Sequence, residues 1–300
     1  MAWDLNDKLV VGISSRALFD LEEENRIFEE EGLDAYEKYQ IRHENDVLRP
    51  GTAFPLVKAL HNLNFGDRRL TEIIVMSKNS ADTSLRIFNS IKHYGLDITR
   101  AALVGGKPIS PYLGAFKTDL FLSADEADVR EAINSNIAAG IICSHDGLPI
   151  DPSKEIDQIR IAFDGDAVIF SDESEEIYKK EGLAAFAEHE RKKARDPLPE
   201  GPFAKLLKTI SLVQNRFEGE NMPIRTALVT ARNAPAHERV VRTLRAWDVR
   251  IDEAFFLGGI TKSDVLRAFD AHIFFDDQTV HTDPASKAVP SARVPYREKN

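Results

Sequence analysis

The stretch SSRALFDLEEENRIFEEEGLDAYEKYQ, which begins at Ser14, reappears in altered form as DGDAVIFSDESEEIYKKEGLAAFAEHE, which begins at Asp164. Three further matches follow in the same order: IIVMSKNSA with ALVTARNAP, ALVGGKPIS with FFLGGITKS, and DLFLSAD with HIFFDDQ. The spacing between the members of each match is nearly constant. Shared strand and helix composition alone would not keep four segments in register, so the chain is predicted to contain an internal repeat.

Each copy of the repeat has the same predicted order of elements. An apolar strand, a helix-rich stretch, a second strand, a helix, a Gly-Gly turn, a helix and a last strand follow one another. The strands are LVVGI, EIIVM and LFL in the first copy and IRIAF, TALVT and IFF in the second. Strands that alternate with helices predict α/β domains with parallel sheets. The segment GLPIDPSK, residues 147–154, predicts a linker, so we expect one domain over residues 1–150 and another over 151–300.

Composition narrows the classes of partner. The 300 residues are 43% hydrophobic and carry a formal net charge of −10, which argues against nucleic acid or an anionic membrane as the main partner. A single cysteine, Cys143, favours a reducing compartment, and the start MAWDLNDKL lacks the order of a signal peptide. We therefore expect a soluble, cytoplasmic protein. The end, SARVPYREKN, is expected to be a frayed tail.

Polar residues follow the predicted strands of the second copy. Ligands of open parallel sheets collect at the carboxyl ends of the strands, so these residues are candidates for one site. Acidic side chains brought together there would suit a hard divalent cation, and magnesium is the natural candidate. The residues are Asp164, Asp166, Thr230, Lys262, Asp276 and Asp277.

The order of the motifs DGDAV, LVT, ITKS and FFDD resembles the haloacid dehalogenase superfamily of phosphohydrolases. The resemblance implies that Asp164 is the nucleophile and that Asp166 is the general acid and base. It also implies that Thr230 and Lys262 hold the phosphoryl oxygens. An acidic residue at position 166 favours a phosphate-ester hydrolase over the dehalogenases and transport ATPases of the superfamily.

The same resemblance implies a magnesium site. Its ligands would be the carboxylates of Asp164 and Asp276 together with the backbone carbonyl of Asp166. Asp277 would support the site from just outside the ligand shell.

The first copy lacks the candidate catalytic and metal-binding residues of the second copy. Sequence matching predicts that it has an uncharged residue or a cation wherever the second copy has a catalytic or metal-binding residue, so we expect a degenerate domain. A purely structural role and a role in binding substrate or effector both remain open for it. The matched residues are Ser14, Arg16, Met76, Ile109, Ser123 and Ala124.

A closer resemblance covers the chain from about Leu9 to Tyr296. The stretches GISSRALFD, HYGLDI, LSADEADVREAI, AFDGDAVIFSDESE, PIRTALVTAR and HIFFDDQTVH are similar to those of the cytosolic 5′-nucleotidase type I family. That resemblance implies Mg²⁺-dependent hydrolysis of nucleoside 5′-monophosphates, with AMP as the leading substrate.

The insert over residues 173–221 lies between the first and second strands, where the superfamily that the chain resembles has a small cap, so the resemblance implies a helical cap above the pocket. Within it, the basic run HERKKAR, residues 189–195, is expected to be a solvated helix face. Two alternatives stay open: a phosphatase of another small ester such as a sugar phosphate, and a nucleotide-sensing binding protein. A nucleotide effector and a homo-oligomer are possible partners that the sequence does not decide.

Overall fold

The computed structural model describes residues 4–64, 66, 68–144, 150–217 and 222–297. Part of the predicted linker and the last residues of the predicted cap insert lie outside these ranges. We call residues 4–144 the first half and residues 150–297 the second half. The strands are β1 Leu9–Ile13, β2 Thr71–Ser77, β3 Arg100–Leu103, β4 Leu120–Ser123, β5 Ala138–Ile142, β6 Ile159–Phe163, β7 Ile224–Thr230, β8 Glu253–Phe256, β9 Ile273–Asp276 and β10 Ser291–Arg293.

These strands form one ten-stranded sheet in the order β3-β2-β1-β4-β5-β10-β9-β6-β7-β8. Neighbours are parallel except at the junction, where β5 and β10 pair antiparallel. The expected α/β class with a mostly parallel central sheet is therefore present. The strand order of the first half, read from its edge to the junction, is repeated by the second half.

The antiparallel junction fixes where the two halves can bind ligands. Because all strands within a half are parallel, their carboxyl ends meet at one edge of the sheet. Since the two halves run in opposite directions, those edges lie at opposite ends of the ten-stranded sheet. The strand ends of the first half therefore cannot line the site of the second half.

The sequence prediction missed four strands, namely β3, β5, β8 and β10. β3 and β8 have four residues each and are largely half-exposed edge strands, so they lack the buried apolar runs of β1 and β6. β5 contains a glycine, and β10 has only three residues. The expectation that SARVPYREKN is a frayed tail was wrong, because β10 lies in the middle of the sheet.

The helices are α1 Ser15–Leu18, α2 Glu22–Glu31, α3 Leu33–Arg42, α4 Phe54–His61, α5 Leu85–His93, α6 Ser110–Ala115, α7 Glu126–Asn134, α8 Glu173–Lys192, α9 Ala204–Gln214, α10 His237–Ala246, α11 Lys262–Phe269 and α12 Thr279–Ser286. None of the helices in the described ranges has the length and apolar character needed to cross a bilayer.

One hydrophobic core joins the two halves. Helix α4 of the first half contacts β6, and helix α9 of the second half contacts β1. Leu206, Leu207 and Ile210 of α9 are buried, so α9 covers the sheet. The part of the predicted cap that can cover the site is therefore α8.

Helix α8 is in effect two helices. Gly182 inside it has φ 83° and ψ −179°, which is not helical and favours glycine. The first half has the same break between α2 and α3, where Gly32 has φ 86° and ψ −179°. A helical hairpin of this shape thus follows the first strand of each half, and the cap insert has a counterpart in the first half.

Candidate active site

Three of the predicted site residues form a buried ion cluster at the carboxyl edge of the second half. Lys262 is the first residue of α11, and its Nζ donates to Asp164 Oδ1 at 2.7 Å and to Asp276 Oδ2 at 2.6 Å. Asp164 directly follows β6 and Asp276 ends β9, its neighbour in the sheet. Parallel pairing therefore brings together residues that are far apart in the sequence.

Burial dominates the electrostatics of this cluster. It raises the pKa of Asp164 to about 7; Lys262 opposes the rise, while Asp276 and Asp166 add to it. Burial also raises the pKa of Asp276. For Lys262, burial acts to lower the pKa, but Asp164 and Asp276 together raise it above its ordinary value. The ammonium group thus stays charged between the two carboxyl groups.

Asp277 lies beside the cluster and is capped by the last described segment. The Tyr296 hydroxyl donates to Asp277 Oδ2, and it also lies 3.0 Å from Glu175 Oε2. Burial and the nearby Asp164 raise the pKa of Asp277 to about 8. Its other oxygen, Oδ1, is buried and has no hydrogen-bond partner in the described part of the chain. Sequence reasoning gave no role to Tyr296 because the end of the chain was expected to be frayed.

Asp166 points away from the ion cluster and is held by an arginine that sequence reasoning missed. Arg232 donates from Nε to Asp166 Oδ2 at 2.8 Å and from Nη2 to Asp166 Oδ1 at 2.6 Å. Its Nη1 donates to Glu190 Oε2 at 2.5 Å. This is the bidentate geometry that gives Arg–carboxylate pairs their strength and orientation. The signal was available in the sequence, since Arg232 comes two residues after Thr230.

Glu190 is fully buried and is the exception in HERKKAR, whose residues Arg191, Lys192 and Arg195 are exposed as expected. It accepts hydrogen bonds from Arg232, from Ser174 Oγ at 2.8 Å and from Arg239 Nη1 at 2.9 Å. A buried carboxylate needs such partners, because a buried carboxylate without a partner would destabilise the folded state by roughly several kcal/mol. Glu190 thus holds the Arg232 guanidinium in place, and Arg232 in turn holds the Asp166 carboxylate in one orientation.

The loop after Asp164 has an unusual backbone. Ala167 has φ 60° and ψ −3°, a conformation that residues other than glycine rarely adopt. The turn directs Asp166 toward Arg232 while Asp164 faces Lys262. Thr230, at the end of β7, accepts a hydrogen bond on Oγ1 from the Arg232 backbone N–H at 3.2 Å, so its hydroxyl hydrogen is available to a ligand.

An aromatic pair of helix α8 lies above the Arg232–Asp166 pair. The Arg232 guanidinium lies 5.4 Å from the centre of the Phe186 ring. Tyr178 meets Phe186 edge-on, with ring centres 6.4 Å apart, and is 52% exposed. These rings form an apolar surface on the hairpin beside the predicted catalytic groups. Phe170, in contrast, is fully buried and packs on Trp247 in the core.

A cavity of about 730 Å³ lies next to the loop that follows Asp166. Its lining includes Ala167, Ser171, Lys205 and Tyr296 of the second half and Ile133 of the first half. The predicted catalytic side chains do not line this cavity. It therefore lies beside the candidate active site rather than containing it.

The donor set fits a hard divalent cation. Carboxylate oxygens of Asp164, Asp276 and Asp277 lie within 4.8 Å of one another, and all three residues are buried. The unpartnered Oδ1 of Asp277 is an oxygen that a cation or its bound water would satisfy. Oxygen-only ligands in a compact anionic cluster suit Mg²⁺ better than softer metals.

In the first half, strand register corrects one of the predicted correspondences. Ile13 pairs with Val75, as Phe163 pairs with Leu228. Thr230 lies two residues beyond Leu228, so its counterpart is Ser77, two residues beyond Val75, and not Met76. The sequence match was displaced by one residue in this segment, and the first half keeps a hydroxyl at this position.

These features of fold and site agree with the comparisons with known proteins. A family model described as 5′-nucleotidase matches residues 1–300, and the chain therefore belongs to the 5′-nucleotidase family. Among curated proteins, cytosolic 5′-nucleotidase 1B of Homo sapiens is 39% identical over 307 residues, which cover 97% of this chain and 49% of the human protein. The chain thus spans about half the length of that relative. No solved structure matches it significantly. The family predicted from the sequence is confirmed.

Proposed function

We propose that the chain hydrolyses nucleoside 5′-monophosphates to nucleoside and phosphate, with AMP as the leading substrate. The observation that carries the proposal is the buried Asp164–Lys262–Asp276 cluster at the carboxyl edge of the second half. Family membership and the relation to a protein named as a cytosolic nucleotidase support the reaction class. A cytoplasmic location is part of the same proposal.

In this mechanism, a carboxylate oxygen of Asp164 attacks phosphorus and the bond to the 5′ oxygen of the nucleoside breaks. Asp166 gives its proton to the leaving oxygen, and an aspartyl-phosphate remains. Asp166 then takes a proton from water, which attacks phosphorus and releases phosphate from Asp164. Both oxygens of Asp166 are held by Arg232, so proton transfer requires one of these two hydrogen bonds to open.

The remaining side chains stabilise charge. Lys262, at the start of α11, and the Thr230 hydroxyl, at the end of β7, would donate to the transferred phosphoryl oxygens, where charge accumulates. Asp164, Asp276 and Asp277 would hold or support Mg²⁺ there, with the carbonyl of Asp166. Bound Mg²⁺ would neutralise phosphoryl charge and favour the ionised form of Asp164.

The aromatic pair of helix α8 favours a nucleoside over a simple sugar as the leaving group. Tyr178 and Phe186 offer a ring surface above the Arg232–Asp166 pair, where a base attached to the departing ribose could stack. A sugar phosphate has no aromatic group to use that surface. Stacking remote from phosphorus would raise catalytic efficiency by holding the ester in line with Asp164.

A phosphate-release assay with Mg²⁺ over nucleoside monophosphates and ribose 5-phosphate tests the proposal. We expect kcat/KM for the best nucleoside 5′-monophosphate to exceed that for ribose 5-phosphate at least tenfold, equivalent to about 1.4 kcal/mol. EDTA should abolish turnover and added Mg²⁺ should restore it. Equal efficiency on ribose 5-phosphate would make the chain a generalist phosphatase, and full activity in EDTA would refute the magnesium site.

We also infer that the two halves arose by duplication and that the first is degenerate. The repeated strand order and the repeated Gly-broken hairpin support this inference. The first half has no carboxylate at the positions of Asp164, Asp166, Asp276 or Asp277. None of these four positions therefore supplies a nucleophilic carboxylate or a carboxylate ligand for a metal.

A further inference from the structure

The carboxyl edge of the first half contains a pocket of about 550 Å³, a volume within the range of small-molecule sites. We call it the first-half pocket. Its polar side is formed by residues that end or follow β1, β2 and β4, among them Arg16, Ser77, Lys78 and Asp125. Its apolar side is formed by the α2–α3 hairpin. It occupies the position that the catalytic groups occupy in the second half, at the opposite edge of the sheet.

Two hydrogen-bond donors of this pocket have no partner. Arg16 Nε and Asn79 Nδ2 are both buried atoms without a hydrogen-bond acceptor in the described part of the chain. Unsatisfied buried donors are costly, and a ligand rich in acceptors would satisfy them. Asn79 is held in place on its other side, because its Oδ1 accepts from the Tyr36 hydroxyl at 3.0 Å.

The acidic residues of the pocket already have cationic partners, with one exception. Lys78 Nζ lies 2.8 Å from Asp125 and 3.0 Å from Asp128, and Glu24 pairs with Arg86. Glu37, which also lines the pocket, has no ion pair within the described residues. Arg16 meets Glu22 through Nη2 alone at 3.2 Å, which leaves its Nε edge for a ligand. Apart from Glu37, each carboxylate that lines the pocket is therefore paired with a cation, with Lys78 shared between Asp125 and Asp128.

The apolar side repeats the aromatic pair of the catalytic half. Phe28 meets Tyr36 edge-on, with ring centres 6.0 Å apart at 80°, as Tyr178 meets Phe186 at 82°. Both pairs lie on a hairpin broken by a glycine with positive φ. Phe28 is 48% exposed, so one ring of the pair is open to stacking.

We propose that the first-half pocket is a second, non-catalytic site that binds a nucleoside 5′-phosphate. The phosphate would accept hydrogen bonds from Arg16 and Asn79, and the base would stack on Phe28. Without a carboxylate at positions 14, 16, 123 or 124, a bound ester would not be hydrolysed. The choice of ligand class rests on the proposed function of the second half, whereas the existence of an anion-accepting pocket does not.

Equilibrium dialysis of labelled AMP against the Asp164→Asn variant tests this proposal, since that variant is expected to bind AMP without consuming it. We expect two AMP molecules per chain. Adding Arg16→Ala should reduce the number to one, while Arg26→Ala should leave it at two. Arg26 is an exposed arginine of the neighbouring helix whose ion pairs are with Glu23 and Glu30, so it controls for loss of a surface charge.

Phe28→Ala separates a nucleotide from a bare anion. It should weaken AMP binding at the Arg16-dependent site at least tenfold, while competition by inorganic phosphate at that site stays unchanged. One AMP per chain with no effect of Arg16→Ala would overturn the proposal. An Arg16-dependent site that ignores Phe28→Ala would overturn the nucleoside part. Wild-type turnover of AMP, measured separately, reports on the proposed function whatever the dialysis shows.

Discussion

Ser14 and Asp164 occupy the same place in the two halves, directly after the central strand, but their surroundings differ. Ser14 Oγ accepts a hydrogen bond from the Ala17 N–H at 3.2 Å and caps the short helix α1. Asp164 makes no such cap; its carboxylate faces Lys262, and the matched alanine, Ala167, has a positive φ. The same framework thus supports either a capped helix start or a buried carboxylate that is paired with a lysine.

The residues around Asp166 and around its counterpart, Arg16, also differ between the two halves. In the second half, charged Arg232 and Glu190 connect the end of β7 to the hairpin. Their counterparts in the first half are neutral, and Asn79 reaches Gln40 through the Tyr36 hydroxyl. The second half therefore has a chain of buried charges where the first half has amide and hydroxyl groups. This difference is what we expect if only one half has to hold a carboxylate in a fixed orientation.

The largest expected effect follows from exchanging the nucleophile. Asp164→Asn should lower kcat by about 10⁴-fold or more, because it removes the attacking oxygen of a covalent mechanism. The matched change Ser14→Ala should leave kcat near the wild-type value and cost about 1 kcal/mol of stability through the lost cap. Phosphate release and urea unfolding measure the two effects. Wild-type turnover by Asp164→Asn would refute the assignment.

A smaller loss is expected at the neighbouring matched pair. Asp166→Ala should lower kcat by roughly 10²- to 10⁴-fold, the usual contribution of a general acid and base. Arg16→Ala should leave kcat close to that of the wild type, because Arg16 lies at the opposite edge of the sheet. Equal losses in two folded variants would mean that the first half supplies groups to the reaction.

Arg232 is expected to act on the reaction through Asp166, as a positioning residue. Arg232→Met should lower kcat about a hundredfold, comparable to the loss of one preorganised hydrogen-bond donor. Arg239→Met is the matched control, since it removes a different partner of Glu190 and leaves both hydrogen bonds of Asp166 in place. Both variants should be less stable than the wild type. Only Arg232→Met should also lower the kcat of the folded protein, and Arg232→Lys should restore part of that kcat.

Equal kcat values for Arg232→Met and Arg239→Met at equal stability would show that Arg232 has a structural role alone.

The sequence predicts the place of a residue well when that place follows from the residue's position in a strand or motif. Residues at the ends of buried strands, such as Asp164 and Asp276, were found because parallel pairing brings such ends together. The family followed from the quoted sequence stretches, and the α/β class followed from the alternation of predicted strands and helices. Glu190 was misjudged because its neighbours form a basic run, and only tertiary packing decides which face of a helix is buried.

The junction was beyond sequence reasoning for a similar reason. β10 has only three residues, and it is a strand because it pairs with β5 on one side and β9 on the other. At the junction, a Cβ on Gly140 of β5 would lie 2.9 Å from the Cβ of Ala292 in β10, so the close packing there requires glycine. No local pattern marks such a contact in advance.

The smallest expected effect concerns stability at the amino ends of the strands, where His272 and Asp119 occupy matched positions. His272 Nδ1 accepts a hydrogen bond from the Arg160 N–H at 3.0 Å, as Asp119 Oδ2 accepts one from the Val10 N–H at 3.0 Å. Burial lowers the pKa of His272 to about 4, whereas burial raises the pKa of Asp119. The two groups should therefore give opposite slopes of stability against pH.

For His272 the unfolded chain binds the proton more readily, so its contribution is complete above about pH 6.5 and is lost as the pH falls toward 4. At about pH 5 the loss should be roughly 2 kcal/mol. His272→Asn retains an acceptor for the Arg160 N–H and does not titrate, so it removes this slope while the other groups titrate as before. We expect the wild type to lose about 2 kcal/mol more than the variant between about pH 7.5 and pH 5 in urea unfolding. Parallel losses in the two proteins would show that the folded chain protonates His272 as readily as the unfolded chain does, which would refute the lowered pKa of His272.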